Sequence, residues 1–253
     1  MNKYKVGDKI KQKRINKKTY LLILLSLFSV FILSSCSVFQ SIGLGKAVSE
    51  ERQVSGIESV SVGSNINLII EQTGTESVRI QAAENIIPNV STKVVDGELQ
   101  ISLIEGGIKS IRPINCYVGI IDLNTIKVSS SATVKCENLK TENLSIEMAS
   151  SANGSLTIYV TNLDLMIASS AHLTLSGEAE SQNIRVNSSG NLKAYDLASR
   201  DCTIDVQSSG NANINVTDNL DAKVSSSANL NYKGSPKVNS DISSGGKINK
   251  VGN

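Results

Sequence analysis

One short phrase, an apolar strand followed by Ser-Ser-Ala or Ser-Ser-Gly, returns seven times across residues 126–250. Counted from its last small residue (Ala132, Ala152, Ala171, Gly190, Gly210, Ala228 and Gly246), the steps are 20, 19, 19, 20, 18 and 18. A fixed period near 19 marks a repeat architecture, in which each unit buries its apolar face only against its neighbours.

Stacking the copies gives each column one chemistry. Four residues before the anchor stand Val128, Met148, Ile167, Val186, Val206, Val224 and Ile242, and six before it the column runs from Ile126 to Ala222 and Ser240. Between them lie Lys127, Glu147, Met166, Arg185, Asp205, Lys223 and Asp241. This alternation is a strand with one buried and one wet face. The outward charges alternate along the stack, so Lys127/Glu147 and Arg185/Asp205/Lys223/Asp241 are expected to pair at the ~4.8 Å strand spacing. Every second position after the anchor is again apolar, from Val134 and Cys136 to Leu230 and Tyr232. An unbroken serine column (Ser130 to Ser244) turns the corner, followed by Asn153, Asn191, Asn211 and Asn229. Left-handed backbone is expected at those asparagines, because Asn tolerates it.

Two strands with room for a third in each coil predict an all-β, parallel β-helix-like solenoid of about seven coils of 18–20 residues. A β-sandwich also supplies many short strands, but columns this uniform favour the solenoid. Before the repeats, strands are expected at residues 57–62, 65–71, 77–82, 90–95 and 99–104, with Asp96-Gly97 as a hairpin turn. Residues 56–125 lack the phrase and are read as an antiparallel strand cap over the first rung.

The chain begins with Lys3, Lys5, Lys9, Lys11, Lys13, Arg14, Lys17 and Lys18 against Asp8, then an apolar run from Tyr20 to Leu33. That run is short for a ~30 Å hydrocarbon core. The order basic, apolar, small is a secretory signal, and Leu33-Ser34-Ser35-Cys36 matches a bacterial lipobox. Residues 1–35 are therefore expected to be a removed signal, Cys36 the lipidated N-terminus and membrane anchor, and residues 36–55 a linker to a domain at 56–253. Of the 25 basic and 23 acidic residues, 8 and 1 precede Cys36, which leaves 17 against 22, a net charge of −5. Such a balance disfavours nucleic acid as a partner.

Catalytic and metal-binding chemistry is sparse. His172 is the one histidine, expected at an exposed corner, so neither a His-based metal cluster nor a catalytic triad is encoded. No cofactor motif appears. Trp is absent, and Tyr117, Tyr159, Tyr195 and Tyr232 share no column, which gives no aromatic platform for sugar. Outward carboxylates Glu147, Asp205 and Asp241 are interleaved with Lys127, Arg185 and Lys223, unlike the clustered carboxyls of polysaccharide lyases and hydrolases. Cys136 and Cys202 fall in apolar columns and are expected as buried thiols. Cys116, one period before Cys136, leaves a disulfide between that pair open.

The runs from Gly63 to Gln72 (Gly-Ser-Asn-Ile-Asn-Leu-Ile-Ile-Glu-Gln) and Asp96 to Ile101, followed by the Ser-Ser-Ala/Gly repeats, resemble the auto-transporter adhesin head GIN domain family (DUF2807). That family is common in lipoproteins of Bacteroidetes. The resemblance covers residues 57–248, and this chain uses Ala at four of its seven anchors where Gly is commoner. It implies a β-solenoid envelope protein and brings no catalytic residues. The expected function is a non-catalytic outer-membrane lipoprotein, periplasmic or surface-facing, that displays a rigid solenoid for adhesion or binding to an envelope protein or glycan. A polysaccharide-active enzyme, and an envelope structural or regulatory component without an external ligand, are the competing readings.

Overall fold

The structure, a computed structural model, describes residues 42–43, 45–104, 109–110 and 112–252. Cys36 and the segment 1–35 lie outside the described residues. In chain order the strands are β1 (Ile42–Gly43), β2 (Ala47–Arg52), β3 (Ser59–Val62), β4 (Asn67–Gln72), β5 (Ser77–Ala83), β6 (Val90–Val95), β7 (Glu98–Leu103), β8 (Lys109–Ser110) and β9 (Asn115–Ile120). The repeats supply β10 (Thr125–Val128), β11 (Thr133–Met148), β12 (Asn153–Ile167), β13 (His172–Val186), β14 (Asn191–Val206), β15 (Asn211–Val224), β16 (Asn229–Lys233), β17 (Lys237–Ile242) and β18 (Lys247–Lys250).

From β10 to β18 every pairing is parallel and follows chain order, one coil onto the next. The repeats therefore form the parallel solenoid that their period predicts. Each of β11 to β15 runs through two corners, and its burial pattern shows where. In β14 the inward residues are Leu192 and Ala194, then Leu197 and Ser199, then Cys202, Ile204 and Val206. The alternation slips twice, so one long strand lines three sides, the middle one being the short third strand. Register shifts at Cys136/Leu139, Thr174/Ser176 and Ala194/Ala198 absorb the unequal coil lengths.

The remaining corner is the serine column, and here one expectation fails. Positive φ belongs to the two serines before the anchor, such as Ser130 (53°) and Ser131 (61°), and not to the asparagines after it. A four-residue turn closes each corner: Ala132 N–H donates to Ser129 O at 3.0 Å, and Gly190 N–H to Asn187 O at 2.9 Å. Such a turn with two left-handed central residues is type I′. A left-handed L-residue costs roughly 1–2 kcal/mol, and the stack holds it in place. Ser131 N–H donates to Ser150 O on the next rung at 3.0 Å, and the bond recurs up to Ser227 and Ser244. Neighbouring corners over-determine the strained backbone.

The N-terminal region contains the expected antiparallel strands and two rungs besides. The Asp96-Gly97 hairpin joins β6 and β7 with φ of 49° and 79° at its two turn residues. β5 runs antiparallel to β9, and β2 to β5. β2 lies inside the segment expected as linker, and Arg52 fastens it to the cap by donating to Thr92 Oγ1 at 2.9 Å and Ile87 O at 3.1 Å. β3 and β4, however, are parallel to β10 and β11 and in register with them (Ile126↔Val60, Val134↔Leu68). Their corner, Ser64-Asn65, has φ of 61° and 56°: a repeat coil whose serine-alanine phrase has become Gly-Ser-Asn-Ile. Beyond it, β7 and β9 form another parallel rung. The order in space is β7/β9, then β3/β4, then β10/β11, so the chain lays its second coil on the far side of its first. At the other end the columns turn polar: Ser240 and Lys250 occupy inward positions, and β17 is exposed throughout.

Candidate functional site

Two flat faces meet at the serine corner, and they differ in charge. The face before the corner carries, at its two outward positions over nine rungs, Glu98, Glu147, Asp164, Asp205, Asp221 and Asp241 with Lys127, Arg185 and Lys223. The face after the corner has one column of Asn115, Asn67, Thr133, Asn153 and His172, continuing through Asn191, Asn211 and Asn229 to Lys247. Its second column is Tyr117, Ile69, Lys135, Ser155 and Thr174, continuing through Lys193, Asn213 and Asn231 to Asn249. None of those eighteen positions is a carboxylate. The amides bond to one another along the axis, Asn231 Nδ2 donating to Asn213 Oδ1 at 2.9 Å and Asn249 Nδ2 to Asn231 Oδ1 at 3.0 Å. His172 is exposed within this face, as expected of it. Near one end Tyr117 lies under the Arg79 guanidinium, 3.9 Å from the ring centroid. A shallow concavity of about 350 Å³ opens there between Tyr117, Asn67 and Lys135.

On the first face the charges are adjacent in register as the sequence predicts, but the Lys127 ion pair has another partner. Lys127 Nζ reaches across the β3 rung to Glu98 Oε2 at 2.8 Å, and not to Glu147. That hydrogen bond holds the Glu98 carboxyl below the ordinary carboxylate range. The sequence hid it because Glu98 belongs to a rung displaced from chain order. Among the described residues no other pair of this column comes within ion-pair distance.

The competing enzymatic reading needs clustered carboxylates beside a groove. The groove that comes nearest, about 360 Å³, lies at the third side between Glu178, Glu180, Ala198, Ser199 and Arg200. Arg200 sits between Glu180 of this lining, 3.3 Å from its Oε1, and Asp218 outside it, 3.1 Å from its Oδ2. The Thr217 hydroxyl, 2.7 Å from Asp218 Oδ1, and then Arg200 hold the Asp218 carboxyl below its ordinary value. A neutralised, ionised carboxylate of this kind is a poor proton donor. Among the described residues no three His, Cys, Asp or Glu side chains gather as a metal site.

Cys116, Cys136 and Cys202 are buried and free. Cys116 aligns with Leu68 and Val134, Cys136 with Ile70 and Leu156, and the β3/β4 rung separates the two. The one-period spacing in sequence is thus not adjacency in space. Burial pushes all three thiols up to about 12, so they remain protonated and unreactive at neutral pH. One feature escaped the sequence reading. In the inward column of Leu144, Leu163, Cys202 and Leu220 stands Gln182, 2 % exposed, and neither amide atom has a hydrogen-bond partner. Its signal was present as one of two polar breaks, with Asn124, in an otherwise apolar column.

The geometry defines a parallel β-solenoid with an N-terminal antiparallel cap and two chemically distinct faces. The chain belongs to the family described as "Putative auto-transporter adhesin, head GIN domain", which matches residues 57–236. A solved structure of a "putative adhesin" from Bacteroides fragilis is similar at 22% identity and a TM-score of 0.75, covering 83% of this chain and 99% of that one. A "putative lipid binding protein" from Parabacteroides distasonis shares 22% identity at a TM-score of 0.68, covering 84% of this chain and 100% of that one. A "putative adhesin" from Parabacteroides merdae shares 21% identity at a TM-score of 0.66, covering 84% and 99% of the two chains. At these identities the likeness concerns the fold. No curated protein sequence matches the chain.

Proposed function

We propose that this protein is a non-catalytic, lipid-anchored envelope protein whose solenoid serves as an adhesive or binding surface. The observation that carries the reading is the junction Leu33-Ser34-Ser35-Cys36, placed after a basic and then an apolar segment and shortly before the first strands. In this reading residues 1–35 are the removed signal and Cys36 bears the lipid. The membrane is then a partner through that lipid; among the described residues no helix is long and apolar enough to cross it. The names of the family and of its structural relatives, adhesin and lipid-binding protein, support a surface or envelope address. The long polar faces suit binding, while the carboxylates on the charged face and at the Arg200 groove are interleaved with cations and do not form a catalytic pair.

Cys36→Ala is expected to abolish incorporation of labelled fatty acid and to move the protein out of the detergent-soluble membrane fraction. A variant that kept both label and partition would overturn the lipoprotein reading. Protease shaving of intact cells then separates a surface-facing from a periplasmic orientation.

A further inference from the structure

The two columns next to the serine corner on the amide-rich face are free of carboxylates, which first appear at the third outward position as Glu71 and Glu137, and their charge distribution specifies a ligand class. The protein beyond its signal segment carries 22 acidic residues against 17 basic ones, yet this face has none of the former at eighteen outward positions. The cations of these two columns are Lys135, Lys193 and Lys247, each three rungs from the next, with Arg79 over Tyr117 and Lys233 at their borders. At ~4.8 Å per rung the three lysines stand ~14 Å apart and span ~29 Å. Amides and hydroxyls fill the intervals, and each amide offers donors and acceptors together.

We propose that this face binds an extended anionic polysaccharide laid along the solenoid axis. The sparse lysines meet its carboxylates, and the Asn, Ser and Thr positions meet its hydroxyls. The proposal rests on the binding role proposed above and names its ligand and its site. Charge density decides against other polymers. Duplex DNA presents a charge every ~1.7 Å, far denser than one lysine per ~14 Å at the rung spacing. Anionic membranes are recognised by clusters of about 4–8 cations, and here the three lysines are dispersed. A protein partner would be anchored by aromatic or Arg side chains gathered at the centre of a patch, whereas here Tyr195 lies at the margin of the face and Tyr117, under Arg79, at one end. Tyr117 and Lys135 border the concavity, which gives a chain end or a branch a place to seat.

The test is affinity electrophoresis of the full-length protein in detergent through gels containing alginate, a uronic-acid polymer, or neutral dextran. Alginate is expected to retard the wild type at least ~10-fold more strongly than dextran, with retardation falling as salt rises. K135Q/K193Q/K247Q should weaken alginate binding at least ~10-fold. K127Q/R185Q/K223Q, on the opposite side of the serine corner, removes the same charge and should change binding less than ~2-fold. Because Lys193 is exposed, the single K193Q variant keeps the test open if the triple variant does not fold, with an expected loss of ~2–3-fold. The proposal is overturned if the wild type passes alginate unretarded, if both triple variants lose equally, or if duplex DNA or phosphatidylserine vesicles bind more tightly than alginate. A protein that ignores alginate but carries lipid at Cys36 would remove this inference and leave the envelope role standing.

Discussion

The N-terminal rungs and the seven repeats share inward columns and two flat faces in common register, and β3/β4 shares the corner as well. They differ in how the chain visits them. In the repeats, sequence order is spatial order. At the N-terminus β3/β4 is built first and then enclosed between β7/β9 and β10/β11. Stability in the repeats is therefore close to a sum over rungs and interfaces, while the N-terminal part is closed by specific partners. The difference teaches that a solenoid's period shows itself only where chain and axis run together.

The largest effect expected from breaking this comparison comes from removing a whole rung on each side of it. Deleting residues 171–189 joins Ser170 to Gly190 with every ladder continuous, and should leave a folded, somewhat less stable protein with its β circular dichroism intact. Deleting residues 57–72 removes the rung through which β7/β9 touch β10/β11, and should give no cooperative unfolding transition. If both deletions fold, or both fail, the two regions are not distinct in the way described.

Next in size is the contrast between neighbouring columns inside the repeats. Val206 is fully buried and Asp205 faces outward. Val206→Asp buries a carboxylate without a partner and should prevent folding or lower stability by several kcal/mol, whereas Asp205→Ala should cost under ~1 kcal/mol. Equal melting shifts would invert the inward and outward assignment.

A stabilising change sharpens the comparison further. Among the described residues the two buried polar side chains, Gln182 and Ser199, both lie in the repeats. Ser199 is satisfied, donating to Asn215 O at 3.0 Å, and Gln182 is not. Gln182→Leu restores the apolar column and should raise stability by ~1–3 kcal/mol, the cost of a buried polar group without a partner. A melting temperature that stayed level or fell would mean that the amide has a partner the fold conceals.

The smallest effect concerns the ion pair that joins the two regions. Lys127 lowers the Glu98 carboxyl on folding, so the pair's contribution is present above the unfolded value of ~4.3 and is lost as pH falls through the folded value. Lys127→Ala should therefore cost under ~1 kcal/mol at neutral pH and nothing in acid. A stability difference that grew below pH ~4 would contradict the assignment.

Much of this was legible in one dimension. The columns headed by Ile126, Val128 and Val134 gave the parallel stack, the buried thiols of Cys136 and Cys202 followed from theirs, and Asp96-Gly97 announced its hairpin. The left-handed residues were misplaced because residue preference points to Asn, and the stacked backbone bonds instead impose that conformation on serine. The Ser64-Asn65 corner passed unnoticed because it keeps the geometry of the phrase without its letters. The N-terminal end of the amide-rich face could not be assembled from local sequence, since Asn115, Asn67 and Thr133 become neighbours only through the exchanged rung order.

By itself the sequence determined the period and the inward columns, because these are local patterns that every coil repeats. The tertiary structure alone decided which coil lies on which at the N-terminus, that Cys116 and Cys136 are separated, and that Lys127 pairs with Glu98. Those are properties of neighbours across the axis, and strand pairing is chosen by the burial of whole rungs, on which a single residue's spacing along the chain has no hold.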